Sequence, residues 1–265
     1  MDLKLTHYQG VMEIKQYLDD YEKPKDENDS RTYSPRGEVN TLSRKSRRNL
    51  FNYVLRLQYR SGYYFVTLTY PKEYPQKFTI WKDNLKTLCS YLRYHFPQLG
   101  FLWKLEFQKR GAPHYHLLLF DPTQPDQEVL EEMITGEWVR IVKDYTKKFS
   151  EHSVDVKAVH DIKKSGFYLA IYQTKDGYIP ANVKTGRHWG IFGRKQMPIT
   201  EQGKASLSVD QYRILKRVCR KWVQKQKNSQ SYANYLCNPT GSFSIFMPNH
   251  EQIRLMEWVA STAEV

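Results

Sequence analysis

Cysteine is scarce in this chain of 265 residues: Cys89, Cys219 and Cys237 are too few and too far apart for a disulfide framework or a cysteine-built zinc site, which fits a reducing cytoplasm. No apolar run approaches the roughly 20 residues that a membrane-crossing helix needs. The opening MDLKLTHYQG lacks the apolar centre of a secretion signal. No Gly-x-x-x-x-Gly-Lys-Ser/Thr run occurs, so the sequence offers no phosphate-binding loop of a motor ATPase, and no internal repeat or low-complexity tract is visible. Acidic residues are also in short supply, 28 against 41 Lys and Arg, which leaves a formal net charge of +13. Such an excess attracts polyanions, and for a soluble cytoplasmic protein the commonest of these is nucleic acid.

What is present divides into three parts. Val11, Ile14, Tyr17 and Leu18 keep a helical spacing, so a short helix is expected within residues 1–20. The polar, proline-containing residues 21–38 read as a linker, closing an N-terminal part at 38. A main domain is expected over 39–200, followed by a basic helical extension over 201–265. The main domain opens on a helix in which Leu50, Val54 and Leu57 line one side, while Arg44, Lys45, Arg47 and Arg48 crowd its first turns. Cations there oppose the helix dipole, and a phosphate ligand would relieve the repulsion. Tyr63 to Tyr70 reads as a buried strand. Thr79 is placed to cap a helix with the stripe Trp81, Leu85, Leu88, Leu92 and Phe96. A helix over 125–149 follows, with Val129, Leu130, Met133, Ile141, Val142 and Tyr145 inside and a break at Gly136 left open. A strand over 153–159 and a helix over 165–175 come next. Residues 186–198 read as irregular and basic. Ser208 with Gln211 has the form of a capping box that opens a strongly basic helix, and a strand at 243–247 and a helix at 250–260 close the chain. Strands and helices in this order make an α+β fold, with a central antiparallel sheet of about five strands and flanking helices.

The chemistry concentrates in Phe101 to Phe120, FLWKLEFQKRGAPHYHLLLF. In its first run Lys104, Glu106 and Gln108 share a face opposite Phe101, Trp103, Leu105 and Phe107; in its second, His114 and His116 share a face opposite Tyr115 and Leu117. Gly111 and Pro113 punctuate the turn between them, so the two runs are expected to pair antiparallel and bring Glu106 to the His pair. Two imidazoles and a carboxylate can hold one divalent cation with coordination positions open to substrate, an arrangement of catalytic rather than structural sites. Periodicity does not fix the hairpin register, so contact between Glu106 and that cation is left open.

Pro113-His114-Tyr115-His116 followed by aliphatic residues resembles the His-hydrophobic-His signature of HUH endonucleases, and within them the rolling-circle replication initiators of plasmids and single-stranded DNA phages. Phe65-Val-Thr-Leu-Thr-Tyr70 is similar to the first motif of that family, and Tyr168-Leu-Ala-Ile-Tyr172-Gln-Thr-Lys175 to its third. The order, with the tyrosines after two histidines and a glutamate, differs from conjugative relaxases, which place the tyrosine first.

The resemblance implies an HUH nickase fold of ferredoxin- or RRM-like layering. It implies Mn²⁺ or Mg²⁺ on Glu106, His114 and His116, with Tyr172 as nucleophile forming a 5′-phosphotyrosine. Lys175 stands one turn from Tyr172, suited to favouring its phenolate or touching phosphate. Tyr168, one turn before, is either a second nucleophile or a packing residue. Lys104, Lys109, Arg110, Lys163, Lys164, Arg187 and Arg194, with the helix start at Arg44, Lys45, Arg47 and Arg48, are expected on DNA phosphates, and Trp189 or Phe192 on bases. The partners expected are single-stranded or hairpin origin DNA and a host or separately encoded helicase, in a bacterial or infected-cell cytoplasm. An HUH transposase or relaxase, and a nucleic-acid-binding protein without chemistry, are the alternatives.

Overall fold

The computed structural model describes residues 2–8, 11–17, 42–58, 60–159, 185–201, 203–225 and 243–262. In chain order the elements are β1 (Asp2–Tyr8), β2 (Val11–Tyr17), α1 (Arg44–Leu55), β3 (Tyr63–Thr69), α2 (Phe78–His95), β4 (Gly100–Phe107), β5 (Pro113–Phe120), α3 (Gln127–Val142), α4 (Lys147–Ser153), β6 (Val154–Ala158), β7 (Trp189–Phe192), β8 (Gly203–Leu207), α5 (Val209–Lys225), β9 (Phe243–Phe246) and α6 (Asn249–Ser261). The chain divides into two units, residues 35–199 and residues 1–34 with 200–265. Among the described residues no helix is long and apolar enough to cross a membrane.

The unit of residues 35–199 is built on a five-stranded sheet of order β6-β3-β5-β4-β7, antiparallel at every pairing. Alternation along each strand gives the sheet two different faces. Val66 and Leu68 of β3, Phe101 and Leu105 of β4, and Tyr115, Leu117 and Leu119 of β5 point to one side. There they pack with Trp81, Leu85, Leu88 and Leu92 of α2 and Leu130, Ile134 and Trp138 of α3. Each such side chain, fully buried, contributes roughly 1.5–3 kcal/mol of transfer free energy. On the other side Tyr63, Leu102, Leu118 and Phe120 pack with Leu50, Val54 and Leu57, the apolar stripe of α1 and its end. Helix α1 begins at Ser43, whose Oγ accepts the Ser46 amide at 3.2 Å, and has no acid in its first turn.

Several expectations are corrected here. The fifth strand is β7, within the stretch read as irregular: Gly190 sits where a Cβ would come 2.9 Å from the Trp103 indole, so a glycine in a strand marks a close approach rather than a loop. Helix α2 is preceded by Lys77 with no side-chain cap, not capped by Thr79. The helix expected over 125–149 is two: α3 runs through Gly136 and stops at Lys143, whose φ of 59° is left-handed, and α4 starts after Thr146. Val129 and Tyr145, expected inside, are exposed, and Ile134 and Trp138 take the core places instead.

The second unit holds a four-stranded antiparallel sheet, β8-β1-β2-β9. The helix expected within residues 1–20 is instead the β1–β2 pair: Leu3 and Leu5 alternate onto the same buried core as Met12 and Ile14. Residues 201–265 likewise supply strands β8 and β9 besides their helices. The capping box is present, with the Gln211 amide donating to Ser208 Oγ at 3.1 Å and the Ser208 amide to Gln211 Oε1 at 2.7 Å.

Candidate active site

The hairpin of β4 and β5 is closed by a turn in which the Gly111 amide donates to the Gln108 carbonyl and the Gln108 amide to that of Ala112. Gly111 has φ of 84°, a left-handed conformation that a side chain would strain. This turn sets the register that alternation alone leaves open. Glu106 stands directly opposite His114, Lys104 opposite His116, and on the other flank of β5 Thr69 faces His114 and Thr67 faces His116. Six polar side chains from three adjacent strands thus share the face that α1 covers elsewhere with apolar residues.

Their contacts form a connected set. Glu106 Oε1 accepts from Lys104 Nζ at 2.6 Å, and Glu106 Oε2 lies 3.2 Å from His116 Nε2. His116 Nδ1 is 3.4 Å from Thr67 Oγ1, and His114 Nδ1 is 3.2 Å from Thr69 Oγ1. The two rings meet edge to face with centroids 4.6 Å apart, and Phe65 stacks on His116. Burial alone would raise the Glu106 carboxyl, but the hydrogen bonds from His116 and Lys104 outweigh it and hold the group at about 2. Burial, with the neighbouring His116 and Arg110 and against the pull of Glu106, lowers His114 to about 4. His114 is therefore neutral at pH 7, the state in which an imidazole accepts a proton or binds a metal.

The hydroxyls of Thr67 and Thr69 hold the histidine rings by one nitrogen and leave the orientation of the other fixed, as groups behind a metal-binding histidine do. The sequence reading gave their strand no chemistry. The signal was available, because both threonines lie in alternation on β3, but only the strand pairing shows which face they share. His188 is likewise buried, with Nε2 2.7 Å from Thr185 Oγ1. Burial, then Lys82 and Lys104, lower it to about 4.

Two nitrogens and a carboxylate suit a divalent ion in kind. In this arrangement, however, both Glu106 oxygens are taken, by Lys104 and His116, and among the described residues no three His, Cys, Asp or Glu side chains are gathered to hold an ion.

The expected DNA-contacting residues separate into groups. Lys45, Arg48, Lys109, Arg187 and Arg194 are exposed, and Arg44 opens α1. Arg47 is half-buried, with Nη2 3.4 Å from the Leu42 carbonyl. Three expectations are corrected. Lys104 is not a surface cation but a buried partner of Glu106. Arg110 is spent on the backbone: Nη2 donates to Tyr70 at 2.6 Å, Nη1 to Pro71 at 2.8 Å, and Nε to Gln108 Oε1 at 2.8 Å, tying the hairpin turn to the end of β3. Trp189 packs beside α1 and donates its indole N–H to Ser46 Oγ at 2.8 Å, and Phe192 stacks on Phe101, so both rings serve packing. Tyr168, Tyr172, Lys175, Lys163 and Lys164 lie outside the described residues.

Known proteins similar to this chain include a viral one of solved structure. The hypothetical protein ORF119 from Sulfolobus islandicus rod-shaped virus 1 aligns with 50% of this chain and 97% of its own, at 12% identity and a TM-score of 0.28. A replication-associated protein of Pseudomonas phage Pf3 is 28% identical over 129 residues, a match that takes in 45% of this chain and 45% of the phage protein. The chain thus spans less than half the length of that relative. The profile of the phage replication-associated protein family of the ORF2 type matches residues 63–177, a span that begins at β3, takes in the Glu106, His114 and His116 hairpin and ends just past Tyr172. Residues 63–177 belong to this replication-associated protein family, whose members are rolling-circle replication initiators.

Proposed function

We propose that this protein nicks and rejoins single-stranded origin DNA through a covalent 5′-phosphotyrosine on Tyr172, so that the freed 3′-OH primes rolling-circle replication. The observation that carries the reading is the registered face of Glu106, His114 and His116 on adjacent strands, inside the span that matches the replication family. Attack on a phosphodiester is in-line, and its catalysis is largely positioning and neutralisation of charge on the nonbridging oxygens. Neutral His114 and the exposed cations of α1 are suited to the second task, and the threonine-held rings to the first. Glu106, His114 and His116 would hold Mn²⁺ or Mg²⁺, which would polarise the phosphate; the ion has to compete with Lys104 for Glu106. A covalent phosphotyrosine conserves the phosphodiester for rejoining, which release by water would lose. A separately encoded helicase supplies the unwinding.

The saturation of Glu106 by Lys104 favours a second reading, a nucleic-acid-binding protein whose polar face is structural. One gel separates them. The chain is incubated with a labelled single-stranded hairpin from its origin and Mn²⁺, then denatured. A protein–DNA adduct that Tyr172→Phe abolishes supports the nickase; shifted but never covalently attached DNA, across origin hairpins and with or without metal, supports the binding protein.

A further inference from the structure

Helix α5 lies outside the span that matches the replication family and carries six cations against one carboxylate, Asp210. Its buried side is ordinary: Tyr212, Leu215, Cys219 and Val223 enter the core of the second unit. Its start is fixed by Gln211, whose Nε2 donates to the Val259 carbonyl at 3.2 Å and lies 3.0 Å from Thr262 Oγ1. The exposed side is not ordinary. Arg213, Arg217, Lys221 and Lys225 are all exposed and recur every fourth residue, forming a single stripe along the helix. The stripe is about 18 Å long at 1.5 Å per residue. Like charges at this spacing repel and weaken a helix. Only Arg213 has an acid within helical reach, Asp210 at 3.3 Å. Ile214 and Val218 flank the stripe, 41% and 37% exposed, apolar groups that solvation of a charged face does not require.

We infer that α5 is a second DNA-contacting surface, which sets its cation stripe along the phosphates of duplex DNA while the hairpin site acts on the single strand. The inference rests on the nickase reading for its substrate. An isolated helix ridge fits the width of a duplex groove, the stripe follows a polyanion of regular spacing, and Ile214 and Val218 would be covered by the groove wall. The repulsion along the helix becomes attraction once phosphates lie against it.

Binding of the full chain to a 30-base-pair duplex, followed by fluorescence anisotropy at 50 and 200 mM salt, tests this. The variant R213Q/R217Q/K221Q/K225Q removes the stripe; circular dichroism and a melting curve check its fold. Each phosphate contact contributes about 0.9 to the salt slope, so four contacts make the wild type lose about 150-fold more affinity than the variant across this range. The pair variant R217Q/K221Q, which leaves both ends of the stripe, is expected to show about 12-fold. Equal salt slopes for wild type and both variants would overturn the inference, as would a loss confined to single-stranded DNA or to duplex RNA. The hairpin adduct, measured on the same proteins, keeps the two claims apart: an adduct that persists with unchanged salt slopes removes the α5 surface alone, and no adduct from the wild type removes the nickase reading.

Discussion

Lys104→Met is the substitution that most directly probes the polar face. The ammonium is 2.6 Å from Glu106 Oε1, and the two side chains are 4% and 17% exposed, so the pair is largely out of water. Removing one partner of a buried pair leaves the other uncompensated, at a cost of about 3–5 kcal/mol. Glu106 keeps its bond to His116 at 3.2 Å and some solvent, which places the expected loss at the low end, about 3 kcal/mol. The same change alters the response to acid. The wild-type carboxyl is held at about 2, below its ordinary 4.5. It therefore contributes stability above pH 4.5 that is lost as pH falls toward 2. Without Lys104 burial is less opposed, the carboxyl rises, and that window narrows. Urea unfolding at about pH 7, 4.5 and 2.5 reads both effects, the first as a shift of midpoint at constant slope. A loss below about 1 kcal/mol at pH 7, the range of exposed ion pairs, would refute the buried pairing. So would an unchanged acid window.

His114 is lowered to about 4 from its ordinary 6.5, so the unfolded chain binds a proton before the folded one does, and stability should fall as pH drops from 6.5 to 4 by about 2–3 kcal/mol. His114→Gln should flatten that part of a stability–pH curve; an identical slope in variant and wild type would show that His114 titrates normally. Thr67→Val with Thr69→Val should cost about 1 kcal/mol per hydrogen bond in urea unfolding, yet weaken Mn²⁺ binding, followed by electron paramagnetic resonance, about 10–100-fold. Unaltered Mn²⁺ affinity would mean the threonines do not orient the rings toward an ion. Mn²⁺ at about 100 times its dissociation constant should stabilise the wild type by about 2.7 kcal/mol and leave Glu106→Gln nearly unaffected, as read by thermal melting; equal stabilisation of both would place the ion elsewhere.

Much of the site was legible because a strand has a period of two. Glu106, His114 and His116 were assigned to faces from alternation alone, and the structure puts those faces together. The register, and with it Lys104 on Glu106, was not legible, since it depends on how Gln108, Gly111 and Ala112 close the turn. Arg110 and Trp189 looked like surface binding groups because sequence shows charge and aromaticity, not the carbonyls and the Ser46 hydroxyl that claim them. The β1–β2 pair shows the other limit. Val11, Ile14 and Tyr17 fit a helical period over one short window, whereas pairing with β8 and β9, distant in sequence, favours the period-two alternative. Gly190 misled in the same way, because the indole it accommodates lies on another strand.

The central claim is the covalent bond to one tyrosine, and mass spectrometry of the trapped adduct tests it most directly. After reaction with a hairpin origin oligonucleotide, nuclease trimming and proteolysis, the account predicts a nucleotide on the peptide at Tyr172, attached through a 5′ phosphate, and none in Tyr172→Phe. A nucleotide on Tyr168 in the wild type, with Tyr172→Phe fully active, or an adduct through a 3′ phosphate, would contradict it.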